Sequence, residues 1–131
     1  MKYYMEKILT APFDRALERV KEELKKEGFG VLTEIDLQEK FKEKLGLNFH
    51  KYVILGACHP PTAHKVVLAE ENIGLLLPCN VIVYEKAGKT VLSVIKPTVA
   101  MQAVDNEALR PEAKFIEEKL KKVFEAVTER G

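Results

Sequence analysis

The sequence has no tryptophan, only two cysteines and almost no surplus of charge of either sign. Each shortage excludes something. Two cysteines in 131 residues are too few for a disulfide-stapled scaffold, so the chain must rely on an ordinary hydrophobic core, which its length is sufficient to build. Twenty-one lysines and arginines against twenty aspartates and glutamates leave a formal charge of +1. Such a balance sets up no one-signed field to gather nucleic acid or an anionic membrane surface, so neither is an expected partner. No apolar run reaches the roughly 18 residues needed to cross a bilayer. The opening Met1-Lys2-Tyr3-Tyr4-Met5-Glu6-Lys7 lacks the basic flank, apolar centre and small-residue cleavage site of a signal peptide. A cytoplasmic location is the expectation, with both cysteines standing as free thiols. No Gly/Ser-rich linker, low-complexity block or internal repeat divides the chain, which reads as a single domain over residues 1–131. Phosphate-cradling glycine loops, a nucleophile elbow and a paired-carboxylate constellation are also missing.

What is present begins with charge and periodicity. Charged residues make up 31% of the chain, mostly Lys and Glu, a balance that leans toward the surface ion-pair networks of proteins from thermophiles. Tyr3 to Thr10 reads as a strand. From Pro12 the period lengthens, with Phe13, Ala16, Leu17, Val20 and Leu24 on one helical face until Gly28. Phe29, Val31, Thr33 and Ile35 alternate as a second strand, and Asp36 followed by Glu39 marks a capping-box-like start to a short helix carrying Leu37, Phe41 and Leu45, closed by Gly46. His50 to Cys58 is strand-like and apolar on alternate positions of both faces, so both faces are expected to be covered. Pro60 and Pro61 end that ladder and open a helix running to about Glu71. Cys79 to Glu85 and Lys89 to Lys96 form a hairpin through a glycine-bearing loop, Pro97 ends the second run, and a helical turn is expected near Val99 to Val104. A long helix from about Pro111 turns Ala113, Ile116, Leu120, Val123, Phe124 and Val127 inward. Five strands with two principal helices, near 12–27 and 111–128, predict an α+β two-layer sandwich with both helices on one face of a mainly antiparallel sheet.

Two stretches concentrate the reactive side chains: "GACHPPTAHK" from Gly56 and "LLLPCNVIVYE" from Leu75. With the Gly-Ala-Cys-x-Pro segment Gly56 to Pro60 and the Leu-Leu-Pro-Cys-Asn segment Leu76 to Asn80, the chain resembles, over nearly its whole length, the family catalogued as domain of unknown function 302. The resemblance implies a fold similar to half of a TATA-binding protein, with an antiparallel sheet. It implies no activity, and His59 stands where members commonly carry Asn. Likeness of fold to a DNA-binding protein does not imply DNA binding; minor-groove readers need basic and wedge residues on the sheet, and here the lysines scatter.

If the strands ending at Cys58 and beginning at Cys79 are antiparallel neighbours, both thiols come to one edge of the sheet. Pro60 and Pro78 lack the N–H needed to extend a ladder, so both strands must stop or start there. Cys58, His59, Cys79 and Asn80 are therefore expected to shape a small polar ligand pocket near the start of the Pro60 helix. Cys58 and Cys79 with His59 also form a donor set suited to a soft metal ion such as Zn(II) or Cu(I). A thiol lowered in pKa by the helix start is a third reading, and plain packing of two small buried side chains a fourth. His50 and His64 read as ordinary surface residues. Tyr84 and Glu85 fall on opposite faces, which separates them as a catalytic pair. Leu75-Leu76-Leu77 is either a pocket wall, a partner surface or, more ordinarily, buried packing. No base is evident beside either thiol, which favours a small ligand-binding or sensing module over a thiol-dependent enzyme. Apolar surface at Tyr3-Tyr4-Met5 and Leu75-Leu76-Leu77 suggests a homodimer.

Overall fold

The computed structural model describes residues 2–129. Its elements are β1 (Tyr4–Leu9), α1 (Phe13–Lys26), β2 (Gly30–Asp36), α2 (Leu37–Leu45), β3 (Tyr52–Cys58), α3 (Pro60–Ala69), β4 (Cys79–Lys86), β5 (Lys89–Ile95), α4 (Pro97–Ala100) and α5 (Leu109–Glu129), with 3-10 turns at Glu71–Leu76 and Met101–Ala103. The strands form one sheet in the order β1-β5-β4-β3-β2, and every neighbouring pair is antiparallel. The α+β architecture expected from the sequence is the architecture found.

Local chemistry explains most of the boundaries. Gly28 takes φ +85, and just beyond α1 its N–H reaches Lys25 O while the Phe29 N–H reaches Leu24 O, closing the last turn as a left-handed glycine cap does. Asp36 accepts the Glu39 N–H at 3.1 Å, and Gly46 at φ +67 closes α2 with its N–H on Lys42 O. In the hairpin Lys86 pairs with Lys89, leaving Ala87 and Gly88 as a two-residue loop with φ +52 and +77, the hand of turn that matches the twist of its strands.

The core lies between one face of the sheet and the helices α1 and α5. Leu55, Val81, Val83, Leu92 and Val94 point up from the sheet; Val20 and Leu24 of α1 and Leu120, Val123 and Val127 of α5 come down onto them. Each such side chain contributes about 1.5–3 kcal/mol when fully buried. Lys119 of α5 and Glu27 beyond α1 add an ion pair at 3.7 Å across the helix pair. No helix among the described residues is long and apolar enough to cross a membrane.

Three expectations need correction. α3 stops at Ala69 rather than Glu71, because Glu70 leaves helical geometry at φ −146 and a 3-10 turn takes over. α5 begins at Leu109, two residues before Pro111; a proline in the first turn costs no intrahelical hydrogen bond, and Asn106 Oδ1 accepts the Ala108 N–H ahead of it. The leucine triplet is not buried packing: Leu75 is 87% and Leu76 41% exposed, and Leu77 alone turns inward, against Val66, Ile73 and Leu109.

The junction of β3 with β4 is held by a close approach. A Cβ added to Gly56 would overlap Thr33 Oγ1 of β2 and lie 2.7 Å from Cγ of Pro78, whereas one added to Gly74 meets nothing within 4 Å. Gly56→Ala is therefore expected to cost about 1–3 kcal/mol by overpacking, read as a lower urea midpoint at unchanged slope. Gly74→Ala, the matched control, should leave stability unchanged or raise it by less than about 1 kcal/mol.

Candidate functional site

Cys58 is the last residue of β3 and Cys79 the first of β4, and Ala57 is the register partner of Cys79. The two cysteines thus stand at the same end of adjacent strands. Both are free thiols, Cys58 half-buried and Cys79 buried, and both line one half-open cavity of about 220 Å³ bounded by the strand ends, α3 and α5. Its walls are apolar, chiefly Phe29, Ala57, Val66, Leu77 and Ile116; Cys58, His59, Thr62 and Glu112 are its polar groups.

Pro60 opens α3 directly after β3, and the His59 C=O accepts the Ala63 N–H at 2.9 Å. That geometry fixes the imidazole at the rim. Its Nδ1 shares a hydrogen bond with Thr62 Oγ1 at 2.9 Å, and the ring meets Phe29 and Phe115 edge-on, with centroids 5.7 and 5.8 Å away. The opposite edge lies against Gly28, where an added Cβ would come 3.3 Å from Cδ2. Burial, then Lys119 and Lys65, lower the pKa of His59, so the imidazole is neutral at neutral pH. Burial also pushes the Cys79 thiol up to about 11, with the neighbouring Cys58 adding to the effect. Cys79 therefore keeps its proton at neutral pH, and a protonated thiol is a poor nucleophile.

The site differs from the expected one in three respects. It is an apolar cavity, because α5 and α3 present Ala113, Ile116 and Val66 to it. Asn80 takes no part in it. Side chains alternate along a strand, so with Cys79 facing the helices Asn80 faces the other side of the sheet, where it pairs with Gly56 and lines a groove with Tyr52 and Tyr84. Nor do Cys58, Cys79 and His59 form a three-donor metal centre: among the described residues no group of three or more His, Cys, Asp or Glu side chains is placed to hold a metal ion. His59 is turned to Thr62 and two phenyl rings instead.

The remaining histidines lie elsewhere, His64 exposed on α3 and His50 exposed within a group of rings with Phe49, Tyr52 and Tyr84. Thr62 and Glu112 escaped the sequence reading. Thr62, three residues from His59 across the first turn of α3, was within reach of helical spacing; Glu112 arrives from a distant helix and leaves no local signal.

The raised thiol pKa has a consequence for stability. Folding holds Cys79 protonated, so its contribution is intact below the unfolded thiol's pKa near 9 and is lost as pH rises toward about 11. Over that interval the wild type should lose about 2–3 kcal/mol more than Cys79→Ala, measured as unfolding free energy against pH. Parallel curves would contradict it.

Comparison with known proteins agrees with the geometry. The family model for the domain of unknown function DUF302 matches residues 5–127. The crystal structure of an uncharacterized conserved DUF302 protein from Bacillus stearothermophilus is similar at 34% identity, covering 99% of this chain and 98% of that one, with a TM-score of 0.87. Comparison with curated proteins gives no match. With the model spanning both cysteine segments and the solved relative sharing the fold end to end, the chain belongs to the DUF302 family.

Proposed function

We propose that this protein is a small ligand-binding or sensing module, not a catalyst, and that the cavity at the Cys58/Cys79 end receives its ligand. The observation that carries the reading is the cavity itself: about 220 Å³, walled by apolar side chains, with a few polar groups at Cys58, His59, Thr62 and Glu112. Ligand sites typically combine apolar walls with a small number of orienting polar groups. An apolar cavity of about 150 Å³ is enough to take up benzene, so the proposed ligand class is a compact, uncharged aromatic or aliphatic molecule with one polar edge. A charged ligand would forfeit its hydration against these walls.

The alternative, a thiol-dependent enzyme, is less well supported. Cys79 is held protonated, and the His59 imidazole is engaged with Thr62, so neither is set up as an activated nucleophile and its base.

Indole and benzene are suitable probes. Each should raise the melting temperature of the wild type saturably, by the equivalent of about 2.7 kcal/mol at a hundred times the dissociation constant. In Ala63→Leu, which fills the cavity from α3, the shift should vanish while the fold is retained by circular dichroism. Equal shifts in both proteins, or none in the wild type, would exclude the cavity as the site.

A further inference from the structure

The face of the sheet opposite α1 and α5 breaks the usual rule for antiparallel sheets, in which one face is apolar and packed and the other polar and solvated. Its outward residues follow from the registers. One row runs across the strands as Ile35, Ile54 and Ile82, and beside it runs Tyr52, Tyr84, Val91 and Ile8. On β3, β4 and β5 no outward position between Tyr52 and Gly56, Asn80 and Tyr84, or Val91 and Ile95 is charged. Glu6 of β1 is the nearest carboxylate, and it accepts a hydrogen bond from Tyr84 Oη at 3.2 Å. Ile8 is 58% and Ile35 40% exposed. Val91 and Ser93 of β5 are buried on this face by their neighbours, but Tyr52, Ile54, Ile82 and Tyr84 remain partly exposed, so the apolar face is incompletely covered by the chain itself.

The uncovered surface continues onto α2, which has no buried residue. A chain of rings links the two: Phe41 of α2 meets Phe49 at 5.0 Å, Phe49 stacks on His50 at 3.9 Å, and His50 lies 6.2 Å from both Tyr52 and Tyr84. Tyr52 and Tyr84 stack at 5.2 Å. Contiguous apolar surface of this extent marks an interaction site.

We propose that this face is covered by a second copy of the chain, sheet against sheet about a two-fold axis, giving a four-layer helix-sheet-sheet-helix dimer. Charge selects the occupant. The centre of this face has no lysine or arginine to hold phosphates or anionic lipid headgroups. Lys86 and Lys89 lie at its hairpin end and Glu6 at its β1 edge, and an apolar centre with charges of both signs at its margin is complementary to its own copy, as a two-fold contact requires. Area permits it. Five strands about 4.8 Å apart and six residues long at about 3.4 Å each present roughly 480 Å², so two copies enclose roughly 1,000 Å² before side-chain relief and α2 are added, at the floor for a specific interface. The interface is centred on Ile54, Ile82 and Tyr84; of the two surfaces suggested by the sequence it takes in the Tyr3-Tyr4 end and leaves Leu75 and Leu76 outside.

Sedimentation equilibrium from about 0.1 to 100 μM tests this. The wild type should have twice its chain mass of 14.9 kDa over the upper part of that range. Ile82→Lys should raise the dimer dissociation constant at least about thirtyfold, the effect of losing an interface anchor. Ile8→Lys, at an already exposed edge position, should weaken the dimer without risk to folding, and Leu75→Lys should not change it. A monomeric wild type at 100 μM overturns the proposal, as does a dimer indifferent to both Ile82→Lys and Ile8→Lys. A monomer that binds single-stranded oligonucleotide through Tyr52 and Tyr84 would also overturn it, by giving the face a different occupant.

Discussion

The site depends on the ring of Pro78 lying against Gly56. With no side chain at position 56, Pro78 and Thr33 can close on the backbone of β3 from either side. Ala57 then stands opposite Cys79, β3 ends one residue later, and Pro60 turns the chain into α3. Two strand ends and one helix start are thus brought to a single corner of the sheet. α5 roofs the corner with Ala113 and Ile116, and the space left among them is the cavity.

That corner is walled largely by apolar side chains, and burial among them sets its chemistry. Desolvation disfavours whichever form of a group is charged. It pushes the Cys79 thiol upward and the His59 imidazole downward, so one cause moves an acid and a base in opposite directions and leaves both neutral. The hydroxyl of Thr62 is buried but shares a hydrogen bond with His59, and among the described residues no buried side-chain polar atom lacks a partner. A corner of this kind suits an occupant that brings no charge.

Much of this was legible in the residues. Periods of two and 3.6 located the strands and the main helices, Asp36 and Gly46 bracketed α2, and Pro60 marked the start of α3. The antiparallel order of β3 and β4, taken from the family resemblance, placed Cys58 and Cys79 together. What remained hidden was parity and distance. Asn80 neighbours Cys79 in sequence, yet strand alternation sends it to the other face. Much of the apolar character of the cavity comes from Ile116 and Met101, which lie in later elements of the chain and carry no local mark of meeting the cysteines there. The leucine triplet misled because composition alone does not tell an inward leucine such as Leu77 from an outward one such as Leu75. The two-sided apolar pattern of β3 led to the expectation that both of its faces are covered; the chain itself buries Val53, Leu55 and Ala57 and leaves Tyr52 and Ile54 partly exposed.

The central claim, that an apolar corner cavity is held ready between β3, β4, α3 and α5, is tested most directly by a crystal of the wild type pressurised with xenon. Xenon enters empty apolar cavities larger than itself and displaces no strongly held water there. The account predicts a single strong xenon peak among Ala57, Val66 and Ile116. A cavity that takes up no xenon and holds ordered water bonded to Cys58, Thr62 or Glu112 would contradict it.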